Sequence, residues 1–259
     1  MRYLSLLLLF FRTSVMAEAE YRLNFLISTL SSVGNAVGGL FALSFFYQNG
    51  GSLGGWSWND VIVVLGVFTV VEGFSQSVLN PNLNRIVDHV QKGTLDFILL
   101  KPIDSQFWLS TRHISLWGIP NVLSGIALIL YGISKVGVSP VSLLWGTFML
   151  VIGIVILYSL WFMLGTLSVW FVKIYNVTHV LKAIVEGGRF PITAYPVLYR
   201  FFMTFVVPVA FLTTVPAETF LGKGRPLYTM LGLLLSVVFF LLSRSFWRFA
   251  LRFYTSASS

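Results

Sequence analysis

Long apolar runs, one after another, decide what this chain can fold into. They cover about residues 23–46, 60–80, 106–131, 141–172 and 227–249. Each is long enough to cross a hydrocarbon core, which takes about 20 residues. In lipid every backbone N–H and C=O must be bonded within the protein, so such runs cross as helices. Only 10% of residues are charged, against about 25% in soluble chains, and little is left to build a soluble body. The expected fold is all-α: one polytopic membrane domain over residues 1–259 with six transmembrane helices.

Between the fourth and the last span the sequence supports two readings. Hydropathy alone makes 197–214 the fifth span and 173–196 a cytoplasmic loop. Alternatively 175–195 crosses despite Lys182, Glu186 and Arg189. Residues 197–221, interrupted by Pro208 and Pro216, are then a re-entrant helical hairpin dipping in from the outer face before the last span. Breaks at that depth are tolerated only where protein or a cavity surrounds them.

In either reading both termini share a side with Arg2, Arg12, Arg22, Arg85, Lys92, Lys101, Lys173 and the C-terminal Arg244, Arg248 and Arg252. Lys135, Lys223 and Arg225 fall opposite. The positive-inside bias makes the richer side cytoplasmic. Because the basic residues cap apolar runs, the net charge of +8 reflects membrane orientation and not a nucleic-acid surface. The lack of cysteine excludes disulfides and thiolate chemistry and fits a bacterial inner membrane.

At the N terminus, Met1 and Arg2, a short apolar run and Ala17-Glu18-Ala19 mimic a signal peptide. Arg12 and residues 18–22 continue instead as plausible helix into the first span. The preferred reading of residues 1–22 is an amphipathic helix in the membrane interface, Leu and Phe inward and Arg and Glu to water. In the first span, Gly34 and Gly38 form a small-xxx-small spacing suited to helix packing. Trp56 and Trp58, in the Gly-rich loop 47–59, are placed like an interfacial belt. Pro81 is expected to end the second span, and Pro120 to kink the third.

Residues 82–104 form the next loop, and inside it KGTLDFILLKP (92–102) is far too apolar for a solvated turn. Gly93 breaks the preceding helix, Thr94 can cap a new one, Asp96 suits its first turn and Pro102 stops it. Such a helix lies on lipid, packs on its own spans or inserts into the groove of a soluble partner.

Within the membrane, Glu72 and Gln76 sit one turn apart in the second span. A carboxylate there normally faces a bundle interior or a water-filled cavity. In 175–195, Lys182, Glu186 and Arg189 make an i, i+4, i+7 stripe. Antiparallel helices bring Glu72 near the height of Glu186, where Lys182 or Arg189 could neutralise it. That compensation favours 175–195 as the crossing segment. The stripe is either a structural pairing or the lining of a translocation route.

Other chemistry is lacking. His89, His113 and His179 show no metal-ligand spacing. There is no G-x-x-x-x-G-K-[ST], so nucleotide and Mg²⁺ have no motif here.

Gly93, Thr94, Leu95, Asp96, Leu99 and Pro102 fit a Gly-(Thr/Glu)-Leu-(Asp/Glu)-x-x-Leu-x-x-Pro pattern. Together with Arg189, Pro191, Pro196, Pro208 and Pro216 in the last third, it resembles permease subunits of type-2 ABC transporters, the exporter-like class. The resemblance implies a dimer with a second permease, identical or related, and a cytosolic ABC ATPase dimer that binds ATP and Mg²⁺. It also implies a coupling helix within residues 82–101, with Arg85, Asp88, Lys92, Gly93, Thr94, Leu95, Asp96 and Phe97 as contacts, the last three foremost. The substrate class suited to an apolar route with a few charges is lipid-like, drug-like or amphiphilic. The alternative is a self-contained secondary transporter or channel using Glu72 as its ion-coupling group, although no inverted repeat is evident. A membrane scaffold is a third class, since six spans do not prove transport.

Overall fold

The computed structural model describes residues 2–18, 22–51, 53–171 and 175–254. Residues 19–21, expected to carry helix into the first span, and Lys173 of the basic set lie outside them. The fold is all-helical. Helix α1 (Arg2–Glu18) precedes α2 (Arg22–Gln48), and a Gly-rich loop leads to α3 (Trp58–Phe74), started by a Ser57–Asp60 capping box. The chain then passes through a π-helical turn (Ser75–Leu79) into α4 (Asn80–Gln91), followed by the short helices α5 (Asp96–Leu99) and α6 (Ser105–Thr111). Next come α7 (Ile119–Val136), α8 (Pro140–Thr166), α9 (Tyr175–Glu186), the pair α10 (Val197–Phe201) and α11 (Thr214–Phe220), and α12 (Pro226–Ala250).

Pro81 does not end the second span, which stays helical from Trp58 to Gln91 over 34 residues. A proline cannot bond the carbonyl four residues back. Here that carbonyl is Ser77 O, and it accepts instead from the Ser115 N–H at 2.8 Å. The π turn beside it absorbs the mismatch, and Pro81 sits in the first turn of α4. At 1.5 Å per residue the whole helix is about 51 Å long, so its α4 end projects beyond a hydrocarbon core of about 30 Å. The third span is also shorter than expected. Residues 105–111 form the separate helix α6, and Pro120 lies in the first turn of α7, where it kinks nothing.

Close contact between α3 and α7 organises the bundle. Gly66 on α3 meets Gly125 on α7, Gly73 meets Gly118 in the 3₁₀ turn that leads into α7, and Gly132 on α7 faces Val63 and Asn59. A Cβ added at Gly125 would lie 2.7 Å from Gly66 O and from Val70 N, and one at Gly73 would lie 2.7 Å from Gly118 O. Spacing of seven keeps these glycines on one face of each helix, so backbone meets backbone. By contrast Gly34 and Gly38 on α2 have nothing within 4 Å. The small-xxx-small motif does not pack α2 inside this chain.

Two contacts fix where the bent pair after α8 begins and ends. From α9 the chain continues through 3₁₀ turns at Gly187–Arg189 and Ile192–Ala194. It ends beside the α2–α3 loop, where Trp56 Nε1 donates to Thr193 Oγ1 at 2.8 Å. The pair Val197–Val206 and Val209–Phe220 is bent by 73°, and just beyond it Lys223 forms an ion pair with Asp60 at 2.7 Å. Both ends of this pair therefore stand at the Trp56 end of the bundle, and the pair re-enters from the end it left. Room for its bend comes from Gly153 and Gly146 on α8, facing Phe211 O and the Phe220 ring.

Helix α1 lies across the opposite end. Phe10 is buried edge-on against Trp108 at 5.0 Å between ring centres. Thr13 and Ser14 accept from Arg112 Nη1 and Ile114 N, and Glu18 accepts from Leu116 N. Leu4, Leu8, Leu9 and Phe11 are exposed, the face that lipid would cover, and Arg12 is exposed as well. Glu18 departs from the expected pattern, because it bonds the chain's own backbone and does not point to water.

Candidate coupling face and intramembrane polar cleft

The loop end is built around Gly93, whose φ of +66° is left-handed and suits glycine. The reversal there turns the chain after α4, and Leu95 N–H bonds His89 O at 3.2 Å. Thr94 does not cap α5. Its hydroxyl pairs with His89 Nδ1 at 2.7 Å, and α5 starts without a side-chain cap. A four-residue helix has no stability of its own, so burial must hold it. Leu95 (0% exposed) and Ile98 (4%) lie in a core with Leu83, Ile86 and Leu109.

That burial sorts the expected contact residues. Leu95 is turned inward, because the α4–α6 core behind α5 takes it up, so its side chain faces no partner. Phe97 is 69% exposed and Leu100 81%. Arg85 and Lys92 are exposed, while Gly93, Thr94, Asp88 and Asp96 are partly buried. Asp96 neighbours Tyr254, whose hydroxyl pKa is raised by burial and by that carboxyl. Lys101 Nζ stands 3.6 Å above the Trp108 ring centre.

Behind this face, Asn82 is clamped to His113 in both directions, donating to its carbonyl and accepting from its N–H at 2.9 Å. The imidazole Nε2 lies 3.1 Å from Arg85 Nη1, which requires a neutral ring. Burial, then the charges of Arg85 and Arg112 and the ring of His89, lower the His113 pKa to about 4. The unfolded chain, with an ordinary value near 6.5, therefore takes up this proton first. His113 contributes stability that is complete above about pH 6.5 and lost as pH falls towards 4. The melting temperature of the purified protein is expected to drop between pH 6.5 and 5, and His113→Gln should drop less over that range. Parallel pH profiles would contradict the assignment.

Within the bundle, Glu72, Gln76, Lys182 and Glu186 share one cleft with Phe68, Ser75, Asn80, Leu157 and Trp161. It holds about 40 Å³, space for a few waters. Gln76 Nε2 donates to Glu72 at 3.1 Å, and its amide is held that way round by Asn121, which donates to Gln76 Oε1 at 2.8 Å. Lys182 and Glu186 are exposed at the mouth, and the Arg189 guanidinium stands 5.2 Å from the Phe68 ring centre. The sequence grouping is thus brought together, with one correction. Among the described residues neither Lys182 nor Arg189 is in an ion pair with Glu72; their charges act across a longer gap.

Some anchoring residues had no local signal. Asp104, Ser105 and Gln106 bind α12, and Asp104 is the clearest. Burial would raise its pKa, but the hydrogen bond from Arg244 and the Phe107 N–H outweigh it, holding the carboxyl below its usual range.

Among the described residues, five helices long and apolar enough to cross a membrane, or six if the bent pair counts as one span, define a helical, multi-pass membrane protein with one compact loop element at the α5 end. A family model described as "ABC-2 family transporter protein" matches residues 33–258, and the chain belongs to that family. It is thus a permease, the membrane component of an ABC transporter, and the family implies in general an ABC ATPase as partner. No curated protein and no solved structure matches the chain.

Proposed function

We propose that this chain is the membrane-spanning subunit of an ATP-driven exporter, docked through α5 on a separate cytosolic ATPase that binds ATP and Mg²⁺. Both termini and α5 face the cytosol, and the chain works beside a second permease, identical or related. The observation carrying this reading is the split of α5: Leu95 and Ile98 bury inward while Phe97 and Leu100 are offered outward. Aromatic anchors standing free of their own core suit the centre of an interface. The Glu72 cleft, beside a π turn, lines the route for a lipid-like, drug-like or otherwise amphiphilic substrate; π turns often mark functional sites.

Reconstitution tests the reading. Proteoliposomes holding the chain with its co-purifying ATPase should move a fluorescent lipid analogue only while ATP is hydrolysed. Movement by the chain alone under a proton gradient would overturn it and leave Glu72 as an ion-coupling group.

A further inference from the structure

We propose that α12, backed by α8, is the rod that carries movement of the α5–α6 segment to the re-entrant pair. This deepens the docking reading above and rests on it. Three consecutive residues grip the near end of the rod. Asp104 Oδ2 accepts from Arg244 Nη2 at 2.7 Å, and Ser105 Oγ accepts from Trp247 Nε1 at 3.0 Å. Gln106 Nε2 donates to Ser243 Oγ at 3.4 Å and to Tyr158 Oη of α8 at 3.1 Å. Tyr158 is bonded again by Ser110 at 2.9 Å, so α6 holds α8 and α12 together. The Trp247 ring, 2% exposed, packs edge-on to Phe162 of α8 at 5.5 Å. Part-exposed ion pairs are individually weak; it is the joint grip of three neighbours that ties the segment to two helices at once.

At the far end the same two helices hold the bend of the re-entrant pair. Phe211, 1% exposed, sits against Gly232 of α12, where a Cβ would lie 3.1 Å from its ring, and against Gly153 of α8 through its carbonyl. From Ser243 to Gly232 is about 17 Å of helix at 1.5 Å per residue. Along α12 there is no internal proline after Pro226 and no π or 3₁₀ turn. Several other routes between the two ends are interrupted: α3–α4 by its π turn, α9 by the 3₁₀ turns at its end, and the pair itself by its 73° bend; α7 is unbroken, but none of the three gripping residues bonds to it. An unbroken helix passes on a displacement that an interrupted one absorbs. A claim of this kind needs a coupling measurement.

The chain lacks cysteine, which makes that measurement direct. In the reconstituted complex, Asp104→Asn with Arg244→Gln is expected to keep the ATPase bound, with basal hydrolysis within about twofold of wild type, while transport falls at least tenfold. The charge swap Asp104→Arg with Arg244→Asp should recover most of it. Asp104→Cys with Arg244→Cys, bridged by a short bis-methanethiosulfonate that loses one methanesulfinate as each disulfide forms, should transport better than the same protein unbridged, because the two sites move as one body. Normal transport by the neutral pair, or loss of transport on bridging, overturns the rod. Failure of the wild-type chain to retain any ATPase would instead remove the docking reading beneath it.

Discussion

Leucine at position 125 is expected to separate α3 from α7 and to remove most folded protein from detergent extracts. A Cβ at Gly125 would stand 2.7 Å from Gly66 O and Val70 N, well inside van der Waals contact. Both obstacles are backbone of a helix whose face is buried, with Val63, Val64 and Val67 at 0% exposure. No rotamer change relieves the clash, so the helices must part. They are also in glycine contact at Gly73 and Gly118, and parting them there forfeits dispersion along the seam. The cost is about 3 kcal/mol, the upper part of the overpacking range, or roughly a hundredfold in the folded fraction of a marginally stable protein. Gly34→Leu is the control, since nothing lies within 4 Å of that glycine and leucine is the better helix former. Size-exclusion profiles and melting temperatures would decide. A Gly125→Leu protein as stable as Gly34→Leu would refute the seam.

That seam also shows what the sequence made legible. Glycines seven apart at 66 and 73, and at 118, 125 and 132, are written in the chain, but an alternative small-residue spacing at Gly34 and Gly38 was equally visible. Which of the two packs depends on the helix that lies opposite, and that is tertiary information. Spans such as 23–46 and 227–249 were readable because crossing a bilayer is a one-dimensional demand on length and polarity. Pro81 read as a stop because its partner, the Ser115 N–H that takes the Ser77 carbonyl, comes from beyond the next loop. Likewise Thr94 had the chemistry of a cap, and His89 took its hydroxyl. The height match of Glu72 with the Lys182–Arg189 stripe followed from helix geometry. Whether a cation touches Glu72 did not, since Gln76, oriented by Asn121, serves it instead. The re-entrant pair could be suspected from Pro208 and Pro216, but only Trp56–Thr193 and Lys223–Asp60 fix both its ends to one side.

Phe97→Asp with Leu100→Asp should abolish co-purification of the ATPase while leaving the permease folded and inserted. The two side chains are 69% and 81% exposed, so charge there disturbs no internal contact, and Leu95 with Ile98 still seats α5. In an interface the same positions are apolar anchors. Truncating a central aromatic anchor costs about 2 kcal/mol or more, and a carboxylate left there without a partner adds a desolvation penalty. Two such changes lower affinity by at least about a hundredfold, at 1.4 kcal/mol per tenfold. Leu95→Ala is the informative contrast. It empties a fully buried site at a cost of about 2–5 kcal/mol, so it should lower the melting temperature and lose the ATPase only through misfolding. The order of effects separates a docking helix from a merely structural one. In the docking case the exposed pair breaks the complex at unchanged stability and the buried leucine does the reverse. Undiminished ATPase binding by the double aspartate variant, with the protein still monodisperse, would mean that the partner seats elsewhere and that the outward face of α5 meets only lipid.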